Sequence, residues 1–122
     1  MPITPFTRLA HAAVAIALFW GAMDAFGPGT PLFWIGLVIP DVALIGLGGA
    51  APGQLHPRWV PLYNGLHTWW TPLAIGAACL LVPSLAPLAL GWAAHVAWDR
   101  TWGYGLRTPE GFQRHEPAPA AG

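Results

Sequence analysis

Four apolar runs in the sequence are each about as long as a helix that crosses a membrane. They cover residues 7–26, 31–50, 60–82 and 84–106. A hydrocarbon core of ~30 Å is crossed by about 20 residues of α-helix, at roughly 1.5 Å per residue. Only 8% of the residues are charged, whereas a soluble domain carries about a quarter. The sequence therefore predicts an all-α, polytopic membrane protein with four antiparallel transmembrane helices in a bundle.

Short segments rich in Gly and Pro separate the runs. They are residues 27–30, 52–57 and 83–87, and loops this short favour antiparallel packing of consecutive helices. Residues 1–109 are therefore predicted to form one transmembrane domain. Residues 110–122 are polar and then rich in Pro and Ala, which predicts a flexible tail. The first run is interpreted as a span, because it has no clear small-x-small site for cleavage as a signal peptide.

The distribution of arginine predicts how the chain is oriented. The five arginines are Arg8, Arg58, Arg100, Arg107 and Arg114, and all lie at the same ends of the runs. By the positive-inside bias, both termini and the Arg58 loop are cytoplasmic and the protein is a multi-pass inner-membrane protein. With a formal net charge of zero, no nucleic-acid partner is expected. The expected partners are the lipid bilayer and either another membrane protein or a second copy of the chain.

Five ionisable side chains fall inside the runs at similar predicted depth. They are His11, Asp41, His67, His95 and Asp99. Counting from the cytoplasmic ends places them about 6 to 14 Å into the bilayer, at roughly 1.5 Å per residue. An ionisable group at this depth costs free energy, so each one requires a partner or a function.

The spacing of these residues suits a metal site. His95 and Asp99 are four residues apart and share one helix face, and Asp41 follows Pro40, whose ring interrupts the helix. With His67 they offer nitrogen and oxygen ligands suited to Zn, Mn or Fe. The predicted ligands are therefore Asp41, His67, His95 and Asp99. The predicted supporting residues are His11, Tyr63, Asn64 and Arg100.

The end of the fourth run carries a more specific pattern. Residues 95–112 read HVAWDRTWGYGLRTPEGF. The order of His, Asp-Arg, Gly-Tyr-Gly-Leu and Gly-Phe resembles the closing signature of a bacterial four-helix integral membrane family of unknown function. Its other recurring features have counterparts in Pro40-Asp41 and in Tyr63-Asn64-x-x-His67-Thr68. The resemblance extends along nearly the whole chain and implies the same four-helix fold.

A more distant resemblance suggests an activity. The sequence has Pro-Asp in one predicted helix, His-Thr in the next and His-x3-Asp in another. This order is similar to that in the LexA-regulated inner-membrane metal-dependent hydrolases. This resemblance implies that Asp41, His67, His95 and Asp99 hold a divalent metal and that a water bound there is the nucleophile. The function expected is that of a metal-dependent hydrolase, with its site in the cytoplasmic half of the bundle.

Non-enzymatic functions remain open at this point, and so does whether the protein is an enzyme at all. The same His and Asp residues can form a hydrogen-bonded network that ties the helices together. The protein would then be a structural or accessory subunit of a larger membrane complex, with histidines that contact a pigment or haem. Proton transport through the buried acids and histidines is a third interpretation.

Overall fold

The computed structural model describes residues 4–46 and 51–113. Its α-helices within these ranges are α1 (Pro5–Phe26), α2 (Pro31–Val38), α3 (Val60–His67), α4 (Trp70–Ala78) and α5 (Ala86–Thr101). The 3-10 helices are Ile39–Gly46, Pro57–Trp59 and Pro83–Leu85. The β-structure in the described part is an isolated bridge between Arg107 and Gln113. The predicted all-α class is confirmed.

α1 is the helix with the clearest membrane character. It has 22 residues, and among the described helices it alone is long and apolar enough to cross a membrane by length and composition. Its Phe6, Leu9 and Trp20 side chains are exposed. The other predicted spans do not appear as single long α-helices, so the four-span bundle is not confirmed.

The second predicted span, residues 31–50, changes its helix type at Pro40. α2 ends at Val38 and continues as the 3-10 helix Ile39–Gly46. In a 3-10 helix the carbonyl of Leu37 would accept from the nitrogen of residue 40, but proline has no N–H. His95 Nδ1 donates to this carbonyl instead, at 2.7 Å. The interruption at Pro40 thus provides an acceptor for a predicted metal ligand.

The third predicted span, residues 60–82, is two helices rather than one. α3 ends at His67, and the next residue, Thr68, is extended with φ −87° and ψ 149°. A proline ring clashes with the carbonyl four residues earlier in a continuous helix. Pro72 stands in that relation to Thr68, so the break at Thr68 removes the clash.

The break leaves backbone carbonyls at the end of α3 without helical partners. Side chains of α5 supply the missing donors. Trp92 Nε1 donates to the carbonyl of Leu66 at 2.8 Å, and Arg100 Nη2 donates to the carbonyl of His67 at 2.7 Å. These two bonds join the broken third run to α5 and hold His67 in place.

The α2 and α5 backbones approach closely at two glycines. A Cβ added at Gly36 would overlap the carbonyl oxygen of Leu88, and one added at Gly91 would overlap that of Phe33. Small residues at a crossing allow this approach in helical membrane proteins. The contact holds the segment that carries Asp41 beside α5.

α5 is the central helix of the fold, because α1, α2 and α4 all pack against it. α1 runs antiparallel to α5, since Arg8 Nε near the start of α1 donates to the carbonyl of Thr101 at the end of α5, at 2.9 Å. α2 runs parallel to α5, since Phe33 faces Gly91 and Leu37 faces His95. These directions are the ones expected when consecutive apolar runs cross the membrane in alternating directions.

Residues 103–113 fold back over the first turns of α3. Asn64 Oδ1 accepts from the Arg107 backbone N–H at 2.7 Å, and Asn64 Nδ2 donates to the Arg107 carbonyl at 3.0 Å. Arg107 Nη1 donates to the carbonyls of Gly53 and Gly111 at 3.1 and 2.9 Å. The Leu55 N–H donates to Gly111 at 2.9 Å. The start of the predicted tail therefore packs on the fold, and residues 114–122 lie outside the described ranges.

Candidate metal centre

Four side chains from three chain segments meet beside the middle of the fold. Asp41 comes from the 3-10 helix Ile39–Gly46, His67 is the last residue of α3, and His95 and Asp99 lie one turn apart on α5. Each offers one ligand atom, and these four atoms lie within 4.8 Å of one another. The structure thus brings together all four residues that the sequence predicts as ligands.

Five of the six separations among the four ligand atoms are close to those of a tetrahedral site, and the two carboxylate oxygens lie within 4.8 Å of each other. His67 Nε2 lies 3.0 Å from Asp41 Oδ1 and 3.4 Å from Asp99 Oδ2, and His95 Nε2 lies 3.2 Å from each of these oxygens. The two Nε2 atoms are 3.2 Å apart. Ligands at about 2.0 to 2.1 Å from a tetrahedral zinc ion lie roughly 3.3 Å from one another. These five distances match that geometry.

Both imidazole rings are held so that Nε2 faces the other ligands. His67 Nδ1 lies 2.8 Å from the carbonyl of Tyr63, and His95 Nδ1 lies 2.7 Å from that of Leu37. A carbonyl can only accept, so Nδ1 carries the proton in each ring and Nε2 of the neutral ring has the free lone pair. This is the arrangement that orients metal-binding histidines in known sites.

The two carboxylates of the cluster need positive charge to balance them. The side chains of His67, His95 and Asp99 are 0%, 10% and 18% exposed, and buried carboxylates need compensation. Two protonated imidazoles would balance the two carboxylates, but their Nε2–H groups would then face each other across 3.2 Å. One divalent ion gives the same balance and uses all four lone pairs. The four side chains could therefore hold one divalent metal ion.

Tyr63 and Asn64 contact the centre in different ways. The Tyr63 ring stacks on His67 at 3.9 Å between centroids, with 16° between the planes. The Arg107 guanidinium lies 4.8 Å from the Tyr63 ring centroid. Asn64 bonds to the Arg107 backbone, so it supports the centre through Arg107 and Tyr63. This stack packs residues 103–113 against a metal ligand.

Arg100 and His11 differ in their relation to the cluster. Arg100 donates to the carbonyl of His67 rather than to a carboxylate, and its enclosed Nη1 has no hydrogen-bond partner in the described part of the chain. His11 is not in the cluster: its Nδ1 bonds the carbonyl of Thr7 at 2.7 Å, and its ring lies against Trp69. Of Arg100 and His11, only Arg100 contacts a residue of the cluster.

Two contributors to the site are not among the residues that the sequence predicts for it. Leu37 acts through its backbone carbonyl, so its side chain gives no signal, although Pro40 three residues later indicates where a carbonyl is left without a helical donor. Trp92 supports His67 through the carbonyl of Leu66. The local sequence signal for the contact between Trp92 and Leu66 is that Trp92 lies three residues before His95, on the same side of α5.

The donor set defines the chemistry available. Two imidazole nitrogens and two carboxylate oxygens suit Zn, Mn or Fe. Because carboxylate oxygens lie 3.0 to 3.4 Å from the Nε2 atoms, a single ion fits between these groups and a flat macrocycle does not. A pigment or haem is therefore not favoured at this position.

Comparison with known proteins assigns a family and no activity. No curated protein matches the chain, and no solved structure matches it. A family model described as a domain of unknown function (DUF4260) matches residues 5–116. That range contains all four candidate ligands and the segment that packs over them. Since the match covers well over half of the sequence, the chain belongs to the DUF4260 family.

Proposed function

We propose that this protein is a metal-dependent hydrolase of the inner membrane, with a divalent ion held by Asp41, His67, His95 and Asp99. The observation that carries this proposal is the set of separations of 3.0 to 3.4 Å between ligand atoms on three chain segments. A bound ion that took a water, ester or phosphoryl oxygen as a fifth ligand would polarise that oxygen and make water a better nucleophile at neutral pH. The similarity in residue order to the LexA-regulated hydrolases supports the same activity.

The membrane location is supported by the apolar surface. Exposed fractions reach 66% at Val38, 77% at Trp70, 87% at Leu80 and 88% at Leu81. A monomeric soluble protein rarely exposes contiguous apolar patches of large area. The breaks in the second and third runs are compatible with a membrane, because the carbonyls of Leu37 and Leu66 are satisfied by side chains within the protein.

Metal content is the direct test of the proposed centre. Protein purified in detergent and supplied with Zn²⁺ is expected to hold about one ion per chain, because the four ligand atoms converge on one position. The affinity should fall on acidification, since binding of zinc to imidazole and carboxylate ligands releases protons. Binding is measured by elemental analysis and by titration at several pH values.

The same preparation tests hydrolysis. Loaded and chelator-stripped protein are compared on chromogenic carboxylic and phosphate esters, and only the loaded form is expected to cleave one of them. A chain that stays metal-free after zinc is supplied would contradict the proposal. The four side chains would then be a structural network, as in an accessory subunit of a membrane complex.

The proposed topology predicts which positions are accessible from each side of the membrane. In a Cys79→Ser background, single cysteines replacing Gly29 or Ser84 should react with an impermeant thiol reagent from outside intact spheroplasts. Cysteines replacing the exposed Arg58 or Glu110 should react only after lysis, because four spans place both on the cytoplasmic side. Labelling of all four positions from outside, or of Arg58 alone, would contradict this topology.

A further inference from the structure

The metal centre is accessible from one side, where the Asp41 side chain is exposed. The Asp41 side chain is 41% exposed, against 0% for His67 and 10% for His95. Its Oδ1 faces both imidazoles, and no group in the described part of the chain donates a hydrogen bond to its Oδ2. A ligand that approaches the centre therefore meets Asp41 first.

The end of the centre nearest residues 103–113 is closed. Tyr63, which is 3% exposed, stacks on His67, and Arg107, 7% exposed, lies over Tyr63. Leu55 is fully buried against Val60 and Tyr63. A water-soluble molecule that arrives along the bundle from this end would have to displace the packed segment.

The open side is bordered by apolar residues. On the chain segment that carries Asp41, Val38 is 66% exposed, Ile39 is 39% exposed and Val42 is 46% exposed. Val38 ends α2 and Asp41 lies three residues later in the 3-10 helix. Residues three apart are neighbours on a helix surface, so the two side chains point in similar directions. A carboxylate at the centre of an exposed apolar surface is a place where a polar head group and a hydrocarbon chain can both be accommodated.

The charge near the centre favours an anionic or polarised head group. Two carboxylates and one divalent ion sum to zero, and the neighbouring Arg100 adds one positive charge. Its Nη1 is enclosed and has no hydrogen-bond partner among residues 4–46 and 51–113, whereas buried donors are nearly always paired. An oxyanion or ester oxygen at the centre would therefore meet a net positive field.

We propose that ligands reach this centre laterally, past Asp41 between Val38 and Val42, and that the substrate is an amphiphile. Its ester or phosphoester head lies at the metal, and its hydrocarbon chain lies along the exposed face of α2 and the 3-10 helix Ile39–Gly46. This inference rests on the metal centre and the membrane location proposed above. It adds the route of access and the class of substrate.

The test uses Co²⁺ as a spectroscopic probe of the centre and two hydroxamates as ligands. Acetohydroxamate is short and water-soluble, whereas dodecanohydroxamate carries the same head group on a long chain. The protein is held in phospholipid nanodiscs, and the affinity for the long probe is expressed per mole of lipid so that partitioning is the same for every variant. Binding is read from the change in the Co²⁺ absorption spectrum.

Bulky side chains at the proposed entrance should block the long probe. In Val38→Trp and Val42→Trp, the affinity for the long probe is expected to fall about tenfold or more, because the larger side chain would overlap the hydrocarbon chain of the probe. Val14→Trp is the matched control, since Val14 is 41% exposed on α1 and lies outside the entrance. All three variants should show the wild-type Co²⁺ spectrum before a probe is added.

Two results would overturn the inference, and they are distinguishable from failure of the centre itself. Equal affinity of the long probe for wild type, Val38→Trp and Val42→Trp would show that the entrance is elsewhere. Binding of acetohydroxamate without binding of dodecanohydroxamate would show access from water. A wild-type protein that binds no Co²⁺ would contradict the metal centre before any probe is added, and the inference with it.

Discussion

Replacing His67 by alanine is expected to abolish stoichiometric metal binding. His67 is fully buried, and its Nε2 lies within 3.4 Å of the ligand atoms of Asp41, Asp99 and His95. Structural zinc sites with four ligands bind with roughly 10 to 16 kcal/mol, so losing one ligand in four removes about 3 kcal/mol or more. The affinity should therefore fall by more than about a hundredfold, as measured by competition with a chromogenic chelator.

Alanine also leaves a cavity beside Tyr63, so a second variant separates metal loss from unfolding. His67→Gln fills more of the space and is expected to lower metal affinity with a smaller loss of thermal stability. His11→Ala is the control, because His11 bonds to Thr7 and lies outside the cluster. A His67→Ala or His67→Gln protein that still holds one tightly bound ion per chain would exclude His67 as a ligand.

Adding one methyl group at Gly91 is expected to destabilise the fold by roughly 1 to 3 kcal/mol. A Cβ at this position would overlap the carbonyl oxygen of Phe33 and approach the Leu37 nitrogen to 3.0 Å. α2 must therefore move away from α5. Because Leu37 holds His95 and α2 continues to Asp41, Gly91→Ala should also weaken metal binding.

Gly76→Ala provides the matched control on α4. A Cβ added there meets no atom within 4 Å, and alanine is favoured over glycine in a helix by about 1 kcal/mol. Thermal unfolding in detergent should therefore shift down for Gly91→Ala and stay the same or shift up for Gly76→Ala. Equal shifts in the two variants would contradict the close α2–α5 contact.

Several features of the candidate site follow from local patterns in the sequence. His95 and Asp99 are four residues apart in an apolar run, which places them on one face of any helix formed there. Asp41 stands out because a carboxylate in apolar surroundings is costly, and Pro40 marks a helix interruption beside it. These signals depend on residue type and spacing alone, so they are readable before any packing is known.

Other features depend on contacts between distant segments. His11 satisfies the same criteria of type and depth as His67, yet it bonds to Thr7 and lies beside Trp69. Which of the two histidines meets Asp41 depends on how each helix is rotated about its axis. Packing against α5 decides that rotation for α1, and contacts with the 3-10 helix Ile39–Gly46 decide it for α3. The third run reads as one continuous apolar span, and its break after His67 is stabilised by Trp92 and Arg100 from another helix.

The apolar runs by themselves determine that this chain is helical and poor in charge, and their polar interruptions identify Asp41, His67, His95 and Asp99. That is possible because helix periodicity and the cost of burying a charge are local properties. Only the tertiary structure decides that these four meet at 3.0 to 3.4 Å, that the Leu37 carbonyl orients His95, and that the centre opens beside Asp41. The reason is that ligand geometry and exposure arise from the close approach of α2 and α5 at Gly36 and Gly91, which no single segment specifies.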